Sequence, residues 1–213
     1  MCTENPSALH AIAEQYFSQH LTRKLHLGCG NNILPDWLNS DVVPCSDNVL
    51  QLNVTQCFPF ADESFDYIFS EHLIEHITYE QGLHKLTQCH RLLKPGGKLR
   101  VSTPNLEFLI NLFRRDRTKR ENDYIRWSMQ TFFPRVDISD PTFVLNNFVR
   151  NWGHIFVYTP RILVHSLQTA GFAKVCSWPL NQSGDTHLQN LENEQRLPRG
   201  FLELETFTLE ASK

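Results

Sequence analysis

The sequence predicts a doubly wound α/β sheet, mostly parallel, in one domain over residues 1–213. Three observations carry this. The run Lys24-Leu25-His26-Leu27 ends abruptly at Gly28-Cys29-Gly30, and an acidic residue, Asp41, follows. A buried parallel strand reads as such an apolar run, and the glycines let its outgoing backbone turn sharply and lie close to a ligand. Further strand-like runs then alternate with helical periodicities, the pattern of a parallel sheet covered by helices. Turn and stop signals separate them at Phe58–Ser64, Lys94-Pro95-Gly96-Gly97, Thr159-Pro160 and Gly171.

Taken in order, Leu9, Ile12, Ala13, Tyr16 and Phe17 share one helical face, so a helix capped by Ser7 is expected within residues 1–22. The first strand and its Gly turn follow. Only Asn31-Asn32-Ile33-Leu34-Pro35-Asp36 then precedes the second strand, Trp37–Val42, so the first crossover helix is truncated to about a turn. Val49–Val54 reads as a third strand and aromatic-rich Phe65–Phe69 as a fourth. A helix over Tyr79–Leu93 leads to a fifth strand, Lys98–Ser102, and Thr103-Pro104-Asn105 opens an amphipathic helix, Leu106–Arg115. Residues 116–152 break the alternation. They are polar, then aromatic among prolines, and read either as an insertion that lids the crevice or as an extra packed layer. A helix over 161–170 leads to the last two strands, Ala173–Trp178 and Leu202–Leu209, the final one antiparallel, with a long connection over 179–200 between them.

Hydrophobic residues make up 41% of the chain and charged residues 20%, ordinary globular values for a 213-residue chain that buries roughly 70% of its unfolded surface. The net charge of −3 argues against a general nucleic-acid binder. The local basic run Arg114–Arg120 reads as a solvated helix end or as a patch for an anionic partner. The 6 cysteines (Cys2, Cys29, Cys45, Cys57, Cys89 and Cys176) form no C-x-x-C pair, which fits a reducing compartment. Met1–Asn5 lacks a secretion signature and no stretch of about 18 apolar residues exists, so a cytoplasmic protein with no membrane partner is expected.

These segments resemble the class I S-adenosylmethionine-dependent methyltransferases, and more narrowly the small members whose cofactor loop reads leucine-x-leucine-glycine-cysteine-glycine. The resemblance rests on Leu25–Gly30, Leu38–Asp41, Phe58-Pro59-Phe60, Phe65–His76, Arg91–Gly97, Gly153–Tyr158 and Ala170-Gly171-Phe172, in family order across roughly residues 24–175. It implies a Rossmann-like fold and S-adenosyl-L-methionine as cofactor. Gly28, Cys29 and Gly30 would face its methionine part, Asp41 would take the ribose hydroxyls, and Val42, Asn53 and Val54 would border the adenine. Ser70, Glu71 and His72 would lie against the methionine or the methyl group. All these positions fall at carboxyl ends of expected strands. The chain departs from the pattern at His26, Asn32 and Asn53, which motivates a second reading, a domain that binds the cofactor or its product without transferring a methyl.

His72-Leu73-Ile74-Glu75-His76 also spells H-x-x-E-H, in which two histidines on one helical face hold zinc with Glu75 as base. No short downstream motif marks a third protein ligand, and the motif follows a strand, so no metal is expected. A nucleophile attacking a sulfonium methyl needs alignment, water exclusion and, for oxygen or nitrogen, a nearby proton acceptor. His72, His76 and His154 are the candidates, with Tyr158 as an orienting group. Tyr124, Trp127 and Trp152 read as pocket walls or as core. A small-molecule or sugar-like acceptor is expected, and the oligomeric state is left open.

Overall fold

The computed structural model describes residues 6–213, with side-chain surroundings from residue 11 onward, and among the described residues three short 3-10 turns accompany seven strands and seven α-helices. In order they are α1 Pro6–Gln19, β1 Lys24–Leu27, β2 Leu38–Asp41, β3 Leu50–Gln51, β4 Phe65–Glu71, α2 Tyr79–Leu92, β5 Leu93–Pro104, α3 Leu106–Asn111, α4 Lys119–Phe132, α5 Pro141–Arg150, α6 Pro160–Thr169, β6 Lys174–Trp178, α7 Leu202–Glu205 and β7 Thr206–Ser212. The strands form one sheet, β3-β2-β1-β4-β5-β7-β6. Pairing is parallel from β3 through to β5, while β7 lies antiparallel to both β5 and β6. This is the mostly parallel doubly wound sheet with an antiparallel last strand. Cys2, the Met1–Asn5 segment and the side chains of Ser7 and Leu9 lie outside the described residues. Among those described, no helix is long and apolar enough to cross a membrane.

Sequence order runs outward from β1 in one direction and from β4 in the other, so the strand order reverses between them. A ligand crevice opens at such a switch point, outside the carboxyl ends of the strands. β1 sits there because Leu25 and Leu27 are fully buried, each contributing roughly 1.5–3 kcal/mol of apolar burial. Its crossover to β2 contains no helix. An Asn32 N–H bond to the Cys29 carbonyl (2.8 Å) makes a first turn and Pro35-Asp36 a second, so the truncation is complete. α1 packs instead through Tyr16, whose hydroxyl donates to the Asp36 carbonyl (3.1 Å) and accepts from Lys24 N–H (2.8 Å).

Several boundaries shift: β5 begins at Leu93 rather than Lys98, α3 ends at Asn111 rather than Arg115, and larger changes occur elsewhere. β3 is two residues long rather than six, because only Leu50 and Gln51 pair with β2 before Leu52 N–H turns back to the Asp41 carbonyl (2.9 Å). Leu202–Glu205, expected as strand, forms the helix α7, since Leu202 is buried and Glu205 receives a hydrogen bond from the Tyr124 hydroxyl. The last strand therefore begins at Thr206. Residues 116–152 hold α4 and α5, which pack with α3 and α7 around Phe108, Leu112, Tyr124, Met129, Val144 and Phe148, a core separate from the one under the sheet. Thr118 and Glu121 close a capping box at the start of α4, and Asp140-Pro141 cap and open α5.

Candidate functional site

At the tip of β1, Gly28 and Gly30 both take positive φ (+68° and +49°), a conformation that favours glycine. A side chain at Gly28 would strike Leu73, whereas Gly30 opens on free space. The Asp41 carboxylate, at the tip of β2, accepts Gly30 N–H on Oδ2 (2.9 Å) and Val43 N–H on Oδ1 (3.0 Å). Each oxygen keeps a lone pair for a further donor. Bare main chain and a fixed carboxylate therefore meet at one bend. Between the glycines, burial pushes the Cys29 thiol up to about 12, which makes it a neutral small side chain rather than a nucleophile.

Beyond β2, Val42 is more than half exposed and Val54 is buried. Asn53 turns its oxygen onto Thr55, accepting from both the Thr55 N–H (3.0 Å) and hydroxyl (2.8 Å). Ser70, expected at the methionine end, faces the other way. Its hydroxyl is buried and accepts from Lys85 Nζ at 2.7 Å, so only its backbone borders the crevice. Glu71, the last residue of β4, accepts the Asn193 N–H on its carboxylate (3.1 Å) and lies 3.8 Å from Arg196, with burial raising its pKa.

The 179–200 connection thus reaches the strand tips, held by a buried cluster that no sequence pattern announced. Arg100, fully buried on β5, donates to both oxygens of Glu192 (2.7 and 3.0 Å) and to Glu210 (2.7 Å). Ser102 Oγ and Asn181 N–H complete the Glu192 carboxylate at 2.6 and 2.9 Å. The available signal was an arginine inside the apolar run Leu99–Val101.

His72 follows Glu71 at φ +46°, places one ring nitrogen 2.8 Å from Thr206 Oγ1, and brings the other within 3.3 Å of Glu75. It opens onto a cavity of about 310 Å³ that His76, His154, Arg196 and Glu205 also line, walled by Tyr124, Trp127, Phe132, Phe148 and Trp152. The insertion supplies most of that wall, so its aromatic residues serve as pocket lining and as core together. His154 Nδ1–H donates to the Phe148 carbonyl at 2.7 Å. A carbonyl only accepts, so the lone pair rests on Nε2. Burial lowers the His154 pKa, with nearby Glu75 acting in the other direction.

Tyr158 does not join the site. It is fully buried in the core under the sheet, where its hydroxyl has no hydrogen-bond partner and lies against Gly82 of α2. The shared helical face of His72 and His76 is also absent. Only Ile74–His76 forms a short 3-10 turn, and His72 precedes it in a left-handed conformation. The cations of the basic run are largely spent locally: Arg117 caps the carbonyls of Leu112 and Arg114, Lys119 pairs with Asp123, and Arg120 pairs with Glu203. Only Arg117 meets carbonyls beyond the end of α3, while Lys119 and Arg120 open α4, so the run as a whole is a link between two helices rather than the expected helix end.

Residues 25–101 match a family model described as "Methyltransferase domain". Two solved structures are similar over nearly their whole length. One is a SAM dependent methyltransferase from Archaeoglobus fulgidus, 17% identical, with TM-score 0.52 over 97% of this chain and 95% of that one. The other is an S-adenosylmethionine dependent methyltransferase from Mesorhizobium loti, 15% identical, with TM-score 0.51 over 97% and 96%. At these identities the likeness establishes the fold. No curated protein matches the chain.

Proposed function

Because residues 25–101 carry a methyltransferase domain and the whole chain follows the class I methyltransferase fold, we propose that it transfers a methyl group from S-adenosylmethionine to a small-molecule or sugar-like acceptor. The observation that carries this reading is Asp41, anchored 2.9 Å from Gly30 N–H at the switch point of the sheet. The residues fit the cofactor. Gly30 leaves its main chain bare, Asp41 keeps acceptor capacity for a pair of ribose hydroxyls, and Glu71 with His72 continues the lip toward the cavity. When bound, S-adenosylmethionine supplies an electrophilic methyl group.

This chain's residues align the acceptor and keep water away. The cavity, about 310 Å³, suits a small acceptor, and its aromatic wall excludes solvent and offers flat faces for a ring. Arg196 and Glu205 provide polar contacts that fix orientation. His76 and His154 stand together with ring centroids 4.9 Å apart and form the pair that activates the acceptor's oxygen or nitrogen.

Titration calorimetry tests the cofactor half. Asp41→Ala should weaken S-adenosylmethionine binding by about 10- to 100-fold, the worth of hydrogen bonds to a charged group, while Asp41→Asn weakens it less. Unchanged affinity in Asp41→Ala would overturn the reading. A second reading, binding without transfer, is favoured by Asn53, whose oxygen is already occupied by Thr55. Cofactor binding without turnover across a panel of hydroxyl, amine and carboxyl acceptors would support it.

A further inference from the structure

Glu75 is completely buried, and its two oxygens are treated unequally. Oε2 accepts from the Thr103 hydroxyl at 3.0 Å. Oε1 has no partner in good hydrogen-bond geometry, and His72 Nδ1 stands 3.3 Å from it. Buried carboxylates persist when they are paired or ligate a metal. Beside this one, a carboxylate oxygen of Glu75 and one nitrogen each from His76 and His154 lie within 4.8 Å of one another.

The backbone enforces that meeting. Ile155 and Phe156 N–H both donate to the Glu75 carbonyl (2.7 and 3.1 Å), which lays His154 against His76 although 78 positions separate them in the chain. Phe148 fixes His154 with Nε2 unprotonated, the carbonyl support that metal-bound histidines commonly have. We propose that Glu75, His76 and His154 form a three-ligand site for a divalent cation of the zinc class, its fourth position open to the cavity. Two imidazoles and a carboxylate are a donor set that zinc accepts in sites with an open position. Tetrahedral ligands at about 2.0–2.1 Å from an ion sit about 3.3–3.4 Å apart, so the trio closes by at most about 1.5 Å.

This replaces the expectation of a metal-free site. The third ligand that no downstream motif marks comes from the fold, and Glu75 becomes a ligand instead of a base. With the cation bound, His76 and His154 hold it rather than accept the acceptor's proton. The cation's role rests on reading the cavity as the acceptor pocket: it would take an acceptor oxygen as its fourth ligand and favour its anion, which directs the chemistry to hydroxyl or carboxyl acceptors. Whether the cation binds does not depend on that reading.

Chelator-treated protein titrated with Co²⁺ reads the site through the visible absorption of four-coordinate cobalt, with Zn²⁺ displacing it. The expected result is one equivalent bound, at least tenfold weaker binding in His154→Ala and in His76→Ala, and no change in Cys45→Ser/Cys57→Ser. No four-coordinate signal in the wild type, or a signal that survives both histidine variants, overturns the proposal. S-adenosylmethionine calorimetry on the same samples shows that the variants are folded. Cobalt binding without cofactor binding upholds the site and sinks the methyltransferase reading, and cofactor binding without cobalt binding sinks the site and leaves that reading to the turnover assay.

Discussion

Tyr158 carries a buried hydroxyl with no partner, and a Cβ built on Gly82 would lie 2.5 Å from it. Two opposed effects set the outcome of Gly82→Ala. Helix propensity favours alanine by about 1 kcal/mol, while the clash in a packed interior costs about 1–3 kcal/mol. The variant should lose net stability in urea melts, and Tyr158→Phe should restore it, since the phenyl ring removes both the clash and the unpartnered polar group. A double-mutant cycle with coupling below about 0.5 kcal/mol would contradict this packing. Tyr158 also shows what was illegible at this scale. A tyrosine four residues after a glycine-histidine pair reads as a site residue, and only its position beneath α2 shows that it is core. Gly28, Gly30 and Asp41 were legible because turn geometry and charge are local properties of the chain. Arg196, Glu205 and Thr206 were not, since their roles come from the folding of a distant connection onto the strand tips.

Between elements, the 179–200 connection depends on Glu192, whose carboxylate has no exposed side-chain area and holds Arg100, Ser102 and Asn181 together. Glu192→Gln removes the bidentate partner of the buried Arg100 but leaves it paired with Glu210, so a loss of about 1.5–3 kcal/mol in denaturant unfolding is expected. Hydrogen exchange at the Asn193 amide, which bonds to Glu71, should quicken in the same variant. A loss under about 1 kcal/mol would mean the connection is held elsewhere. Strands and helices were readable wherever apolar period and stop signals agreed. The two insertion helices left a signal too: Thr118-Lys119-Arg120-Glu121 is a capping box and Asp140-Pro141 a cap with a first-turn proline. The start of the final strand was not readable, because Leu202–Glu205 alternates apolar and charged residues as a strand does, although leucine and glutamate are good helix formers.

Across the whole molecule, acid stability should follow His26 in the central strand. It is 1% exposed, its Nδ1–H donates to Asn39 Oδ1 (3.0 Å), and burial lowers its pKa to about 4. In the unfolded chain it protonates near 6.5, so between those values the unfolded state binds more protons and stability falls as pH falls. The contribution, intact above pH 6.5, amounts to roughly 3 kcal/mol lost by pH 4. His26→Leu should flatten the stability profile in that window relative to wild type, and parallel profiles would refute the assignment. Strand order is another whole-molecule property: the alternation implied a wound sheet, but which strands became neighbours depended on long-range pairing. The separation of the core around α4 and α5 from the apolar clusters that flank the sheet has a consequence for divergence. Substitutions around Phe108, Met129 and Val144 can remould the chamber's wall while leaving untouched the strands that present Gly28 and Asp41. On the proposed reading, selectivity for new acceptors can therefore drift in one core while the residues offered to the methyl donor stay fixed.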